Sequence, residues 1–112
     1  MWSNISFGVI DMKTVIYGVL EEEKQRNLEA QDVYKNEILM LSKGSVSKKI
    51  ISGNTYYYLK YREGKKTKND YLGKDKSVAD ELKRQVERRR YLESVLRRLK
   101  KEYKQICKVV KD

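Results

Sequence analysis

The sequence predicts an α+β fold: an N-terminal helix, a three-stranded antiparallel β-meander, and a long C-terminal helix with a heptad-like seam. Three observations carry this. Apolar residues recur at three- and four-residue steps in the first third of the chain. The middle third switches to β-forming runs divided by tight-turn pairs, and helical spacing returns after Ser77.

In the first third, Val15, Ile16, Val19, Leu20, Leu28, Ala30, Val33, Tyr34, Ile38 and Leu41 sit among Glu, Lys, Gln and Arg. That spacing predicts an amphipathic helix over residues 14–42, with Gly18 as a weak point. Lys43 and Gly44 follow the last apolar residue and supply a cation and a residue able to take positive φ, which is how helices end. Residues 1–13 read as a loosely ordered extension, because Met12 followed by KTVIYGVLEEE resembles a second start. Asn4, Asp11 and Lys13 break the apolar run there well short of the ~20 residues a membrane span needs, so neither a signal peptide nor an anchor is expected.

The middle segment reads SVSKKII, NTYYYLKYRE and KTKNDYL, separated by Ser52-Gly53 and Gly64-Lys65. This predicts a meander over residues 45–72. A small sheet must rest one face on a helix to be stable in water. Along the central strand, alternation places Tyr57, Leu59 and Tyr61 on one face and Tyr56, Tyr58, Lys60 and Arg62 on the other. The first set is the better core candidate.

The third segment opens with Ser77-Val-Ala-Asp80, which resembles a capping box and predicts a long helix over residues 77–110. Leu92, Leu96, Leu99, Tyr103, Ile106 and Val110 follow alternating four- and three-residue steps, a heptad seam preceded by a looser stripe of Val78, Leu82 and Val86. One helix cannot bury such a seam. Its partner is either the first helix folded back antiparallel, or the same helix of a second subunit in a homodimer.

Composition narrows the function. The chain has 112 residues, room for one compact domain, and lacks histidine, which removes the commonest general base and every imidazole metal ligand. Its single cysteine, Cys107, closes no intrachain disulfide and beside Ile106 reads as a small apolar filler. Asp70 and Asp75 lack a third ligand nearby, so no metal and no cofactor is expected, and the chain reads as a non-enzyme of a reducing cytoplasm. Charged residues reach 38%, against about 25% in an average domain. The net charge of +10 is uneven: residues 1–42 carry −3, residues 43–76 carry +7, and residues 77–112 carry +6. A basic excess confined to two segments is what a polyanion-binding face requires.

Tyr56, Tyr57, Tyr58, Tyr61 and Tyr71 lie among Lys60, Arg62, Lys65, Lys66 and Lys68. Aromatic rings stack on exposed bases, at about 1–3 kcal/mol each, while neighbouring cations neutralise phosphates. Tyrosine is equally a good strand former, so part of the cluster serves the sheet alone. Tyr56, Tyr58, Lys60, Arg62, Lys65, Lys66 and Lys68 are therefore the candidate binding residues. Arg88 and Arg90 join them from a second basic run, much of which has acidic neighbours at helical spacing. Arg89 falls where the seam wants an apolar group; either the seam breaks there or a carboxylate such as Glu21, Glu22 or Glu23 meets it.

The stretch GSVSKKIISGNTYYYLKYREGKKTKNDYLGKD resembles the core of a family of small basic proteins of bacterial mobile elements, with a KGS start, a YYYL strand, a YREGKK turn and a YLGKD close. The chain is similar in this respect to anti-CRISPR inhibitors of type II-A systems. The resemblance implies an inhibitor of a Cas9, with Cas9 or its guide RNA as partner. A chain at +10 is a poor mimic of the DNA backbone, so interference with guide RNA binding is the expected route. A fainter similarity, in topology and in the aromatic, basic central strand, links it to the arm-DNA-binding domain of tyrosine recombinases. That implies the alternative of a DNA- or RNA-binding accessory protein of a mobile element. A coiled-coil, antitoxin-like partner-binding protein is the third reading.

Overall fold

A computed structural model describes residues 12–110 of the chain. The elements run α1 (Met12–Leu39), β1 (Ser45–Ile51), β2 (Asn54–Glu63), β3 (Lys66–Gly73) and α2 (Lys76–Val109). The fold is the α+β arrangement expected. Most of the proposed extension lies outside the described residues; Met12 and Lys13, assigned to it, are the first residues of α1.

The described residues form two compact units. The first, residues 12–35 with 95–110, is a helix pair. Asn27 Nδ2 donates to the Leu99 carbonyl at 3.0 Å, and Leu20 shares a groove with Ile106, so α1 and α2 run antiparallel within this unit. The seam therefore finds its partner in the same chain. Val95 and Val110 are buried, and Leu96, Leu99, Tyr103 and Ile106 are half-buried. What α1 offers them differs from expectation. Lys24, Asn27 and Gln31 are buried, while Val15, Ile16, Val19 and Val33, assigned to the apolar face, are exposed. Gln31 Nε2 donates to Asn27 Oδ1 at 2.7 Å, so Asn27 is bonded through both its oxygen and its nitrogen, as burial of polar groups requires.

The second unit, residues 36–94, holds the sheet and the ends of both helices that flank it. The sheet order is β1-β2-β3, both pairs antiparallel. Ser52 and Gly53 take φ of 52° and 80°, the two positive values a type I′ hairpin turn needs, and this turn pairs Ile51 with Asn54. Between β2 and β3 the register shifts at Tyr57/Tyr58, leaving Leu72 as the extra residue. Tyr57, Leu59 and Tyr61 face α2, sharing clefts with Ala79 and Arg89. The α2 stripe buried here is Ala79, Val86 and Leu92; Val78, placed on it by spacing, is 42% exposed.

Helix ends also differ from expectation. The N-cap of α2 is Asp75, two residues before the predicted Ser77. Asp75 Oδ1 accepts from the Ser77 amide at 2.8 Å and the Ser77 hydroxyl at 2.7 Å, and these bonds hold its carboxyl below the usual carboxylate pKa. At the other corner α1 stops at Leu39 and tightens through Met40 N–H to Glu37 O and Leu41 N–H to Ile38 O. Gly44 then turns the chain into β1 with φ of 112°. A Cβ there would collide with the Lys60 carbonyl, so only glycine fits.

Candidate nucleic-acid interface

The sheet face turned away from α2 is built by alternation along β2. Tyr56 and Tyr58 project from it, and the register across the strands places Lys49 opposite Tyr56 and Tyr71 opposite Tyr58. The Tyr71 ring lies 5.4 Å from Tyr58 and 6.3 Å from Tyr56, both tilted by nearly 50°. Two ammonium groups stand over rings of this trio. Lys49 Nζ stands 5.1 Å from the Tyr58 centroid, and Lys74 Nζ 5.2 Å from that of Tyr56. Tyr56 and Tyr58 are half-buried, whereas Tyr71 is 56% exposed. Lys60 and Arg62 continue the same face, both exposed. The result is a ring platform with a cationic margin, suited to stacking flat unsaturated groups while neutralising anions beside them.

The remaining candidates do not join it. Lys65 occupies the tip of the second hairpin. Lys66 and Lys68 stand opposite Glu63 and Tyr61, which places them on the other face of the sheet, and Lys68 Nζ is ion-paired with Glu63 Oε2 at 3.1 Å. The period of two decides this: Tyr56 and Tyr58 share their face with Thr67 and Asn69, not with the lysines between. On the inner face the Tyr61 hydroxyl's hydrogen bond to Asp70, and after it burial and the carboxylate's charge, raise the phenol pKa, keeping the hydroxyl a neutral donor.

Arg88, Arg89 and Arg90 serve the fold. Arg88 Nε donates to Glu37 Oε2 at 2.8 Å, and its guanidinium stands 5.8 Å from the Tyr91 ring. Arg89 Nη1 donates to the carbonyls of Ile38 at 3.1 Å and Leu41 at 2.8 Å, capping the last turn of α1. Arg90 Nη2 donates to the Gly44 carbonyl at 2.9 Å. Arg89 therefore meets backbone carbonyls rather than Glu21, Glu22 or Glu23, and its closest carboxylate is Glu93, at 3.9 Å from Nε. Three consecutive arginines fasten the corner that leads into β1.

Sequence reasoning missed Lys49 and Lys74. For Lys49 the signal was present: a two-residue turn at Ser52-Gly53 sets it opposite Tyr56. Lys74 lies just past the end of β3, beyond what alternation can place.

The fold and its exposed aromatic face define a small basic α+β protein. The chain belongs to the family described as a domain of unknown function (DUF6788), which matches residues 20–84, more than half of the chain and the whole of the sheet. No curated protein and no solved structure matches it. No helix among the described residues is long and apolar enough to cross a membrane.

Proposed function

We propose that the chain binds nucleic acid through the outer face of its sheet, stacking unpaired bases on Tyr56, Tyr58 and Tyr71 and contacting phosphates with Lys49, Lys60, Arg62 and Lys74. The observation that carries this is the tyrosine trio with a lysine over each of two rings, on the face that α2 does not cover. Tyrosines serving only the sheet would pair across strands without drawing in Lys74 from beyond its last strand. RNA is the favoured polymer, because its unpaired loops offer splayed bases to such a platform.

The finer proposal is that the RNA is the guide of a type II-A Cas9 and that the chain inhibits assembly of the effector, which rests on the resemblance of residues 44–75 to such inhibitors. The order-of-addition experiment tests it: Cas9 cleavage is lost when the protein precedes the guide RNA and retained when it follows. Retention in both orders rejects the Cas9 reading and leaves a nucleic-acid-binding accessory protein. The platform is tested separately by replacing Lys60 and Arg62 with Glu. Both are exposed, so stability changes by under about 0.5 kcal/mol, whereas RNA affinity falls at least tenfold. Unchanged affinity in the folded variant removes the outer face from the account.

A further inference from the structure

Beyond Lys60 the central strand outruns its neighbour: β1 begins at Ser45, paired with Lys60, so residues 61–63 of β2 have no partner on that side. A cleft of about 430 Å³ opens there, lined by Lys43, Lys60, Arg62, Arg89 and Arg90, with Glu93 as its one carboxylate. Five cations against one anion repel one another, and an oxyanion placed among them relieves that repulsion.

Three of the five are uncommitted. No hydrogen bond or ion pair among the described residues engages the side chains of Lys43, Lys60 or Arg62. A fourth, Arg89, has its Nε buried without a hydrogen-bond partner, with the Glu93 carboxylate 3.9 Å away and its Nη1 capping α1. The hydroxyl residues Ser45 and Thr67 also line the cleft, supplying neutral donors of the kind that accompany Arg and Lys at phosphates.

We infer that this cleft is a phosphate-binding site that adjoins the tyrosine platform, shares Lys60 and Arg62 with it, and seats one phosphodiester of the bound strand. The inference rests on the nucleic-acid reading for the identity of its ligand, but the cleft chemistry is that of any phosphate monoester or diester. From Tyr58 to Arg62 the strand advances about 13 Å, so one strand of nucleic acid can stack on the platform and reach the cleft.

Lys43 is the discriminating residue, since it lines the cleft and takes no part in the platform. Binding of a labelled single-stranded RNA oligonucleotide is measured across a salt series for the wild type, Lys43→Gln and Tyr71→Ala. Lys43→Gln weakens binding about threefold and reduces the salt slope by about one, whereas Tyr71→Ala weakens binding with the slope unchanged. In parallel, the Gly44 and Ser45 amides and the Arg89 Nε–H are followed by NMR during titration with inorganic phosphate at constant ionic strength. Saturable shifts that Lys43→Gln abolishes support the cleft.

Oligonucleotide binding that Tyr71→Ala weakens and Lys43→Gln leaves alone, slope included, overturns the cleft and spares the platform. Phosphate shifts at the cleft in a protein that binds no oligonucleotide support a site for a small phosphate compound and reject the platform. Absence of both overturns both.

Discussion

The two cationic regions of this chain are alike in sequence and opposite in use. The arginines of α2, residues 88–90, are spent on the corner between α1 and β1, where a carboxylate and the carbonyls of Ile38, Leu41 and Gly44 take up their donors. The side chains of Lys60 and Arg62 of β2 and of Lys43 in the loop before β1 meet nothing comparable. Charge density alone does not separate a fastener from a binding group. What separates them is whether backbone carbonyls or carboxylates from elsewhere in the chain arrive within reach.

The largest effect expected from breaking this contrast is at Arg89. Arg89→Ala removes a charged donor from two carbonyls at the end of α1, of which that of Ile38 keeps the Leu41 amide, and hydrogen bonds to a charged group of this kind contribute about 2–3 kcal/mol together. Chemical denaturation should show that loss. A loss below about 0.5 kcal/mol would mean that the corner stands without its cap.

Gly44→Ala comes next. It imposes a side chain where φ is 112° and the Lys60 carbonyl already fills the space, at a cost of about 1–3 kcal/mol. A melting temperature equal to that of the wild type would show that the loop has another route into β1.

The smallest effect is electrostatic and depends on pH. The Asp75 carboxyl is lowered in the folded chain by its bonds to Ser77, and that of Glu81 by Arg84, whose guanidinium Nη2 is 2.6 Å away. A carboxyl depressed by folding contributes stability that is present above its unfolded pKa and lost as pH falls through its folded value. Stability should therefore decline as pH drops below the ordinary carboxylate range, and Asp75→Asn should flatten that decline. An acid profile indistinguishable between wild type and Asp75→Asn would deny the cap any electrostatic part.

The sheet was legible in the sequence because its rules are local. A two-residue turn fixes the register, and alternation then assigns Tyr56 and Tyr58 to one face and Tyr57, Leu59 and Tyr61 to the other. The helix pair was less legible. Periodicity counts apolar residues, and on α1 that count rightly selected Ile38, which is buried, and Leu20, Leu28, Ala30 and Tyr34, which are half-buried, but it also selected the exposed Val15, Ile16, Val19 and Val33 and passed over the buried Lys24, Asn27 and Gln31. Those three also recur at helical steps, but the residue on which the pattern turns, Asn27, finds its acceptor on another helix, at the Leu99 carbonyl, and so has no mark in its own neighbourhood. The same reason hid the roles of Arg88 and Arg90, whose partners are 46 to 51 residues away. Lys66 and Lys68 were misplaced for a simpler reason: proximity in sequence to the tyrosines outweighed the parity that sends them to the opposite face.

The cap on α1 also has a consequence in time. Arg89 follows its two carbonyl acceptors by 51 and 48 residues, so a ribosome completes the helix and the whole sheet before it adds the group that closes the helix end. Until then the last turn of α1 can only fray, and the contact that ends the fraying carries the entropy cost of a long loop. Closure of that corner is thus a late event in folding, and loss of Arg89 should quicken unfolding far more than it slows folding.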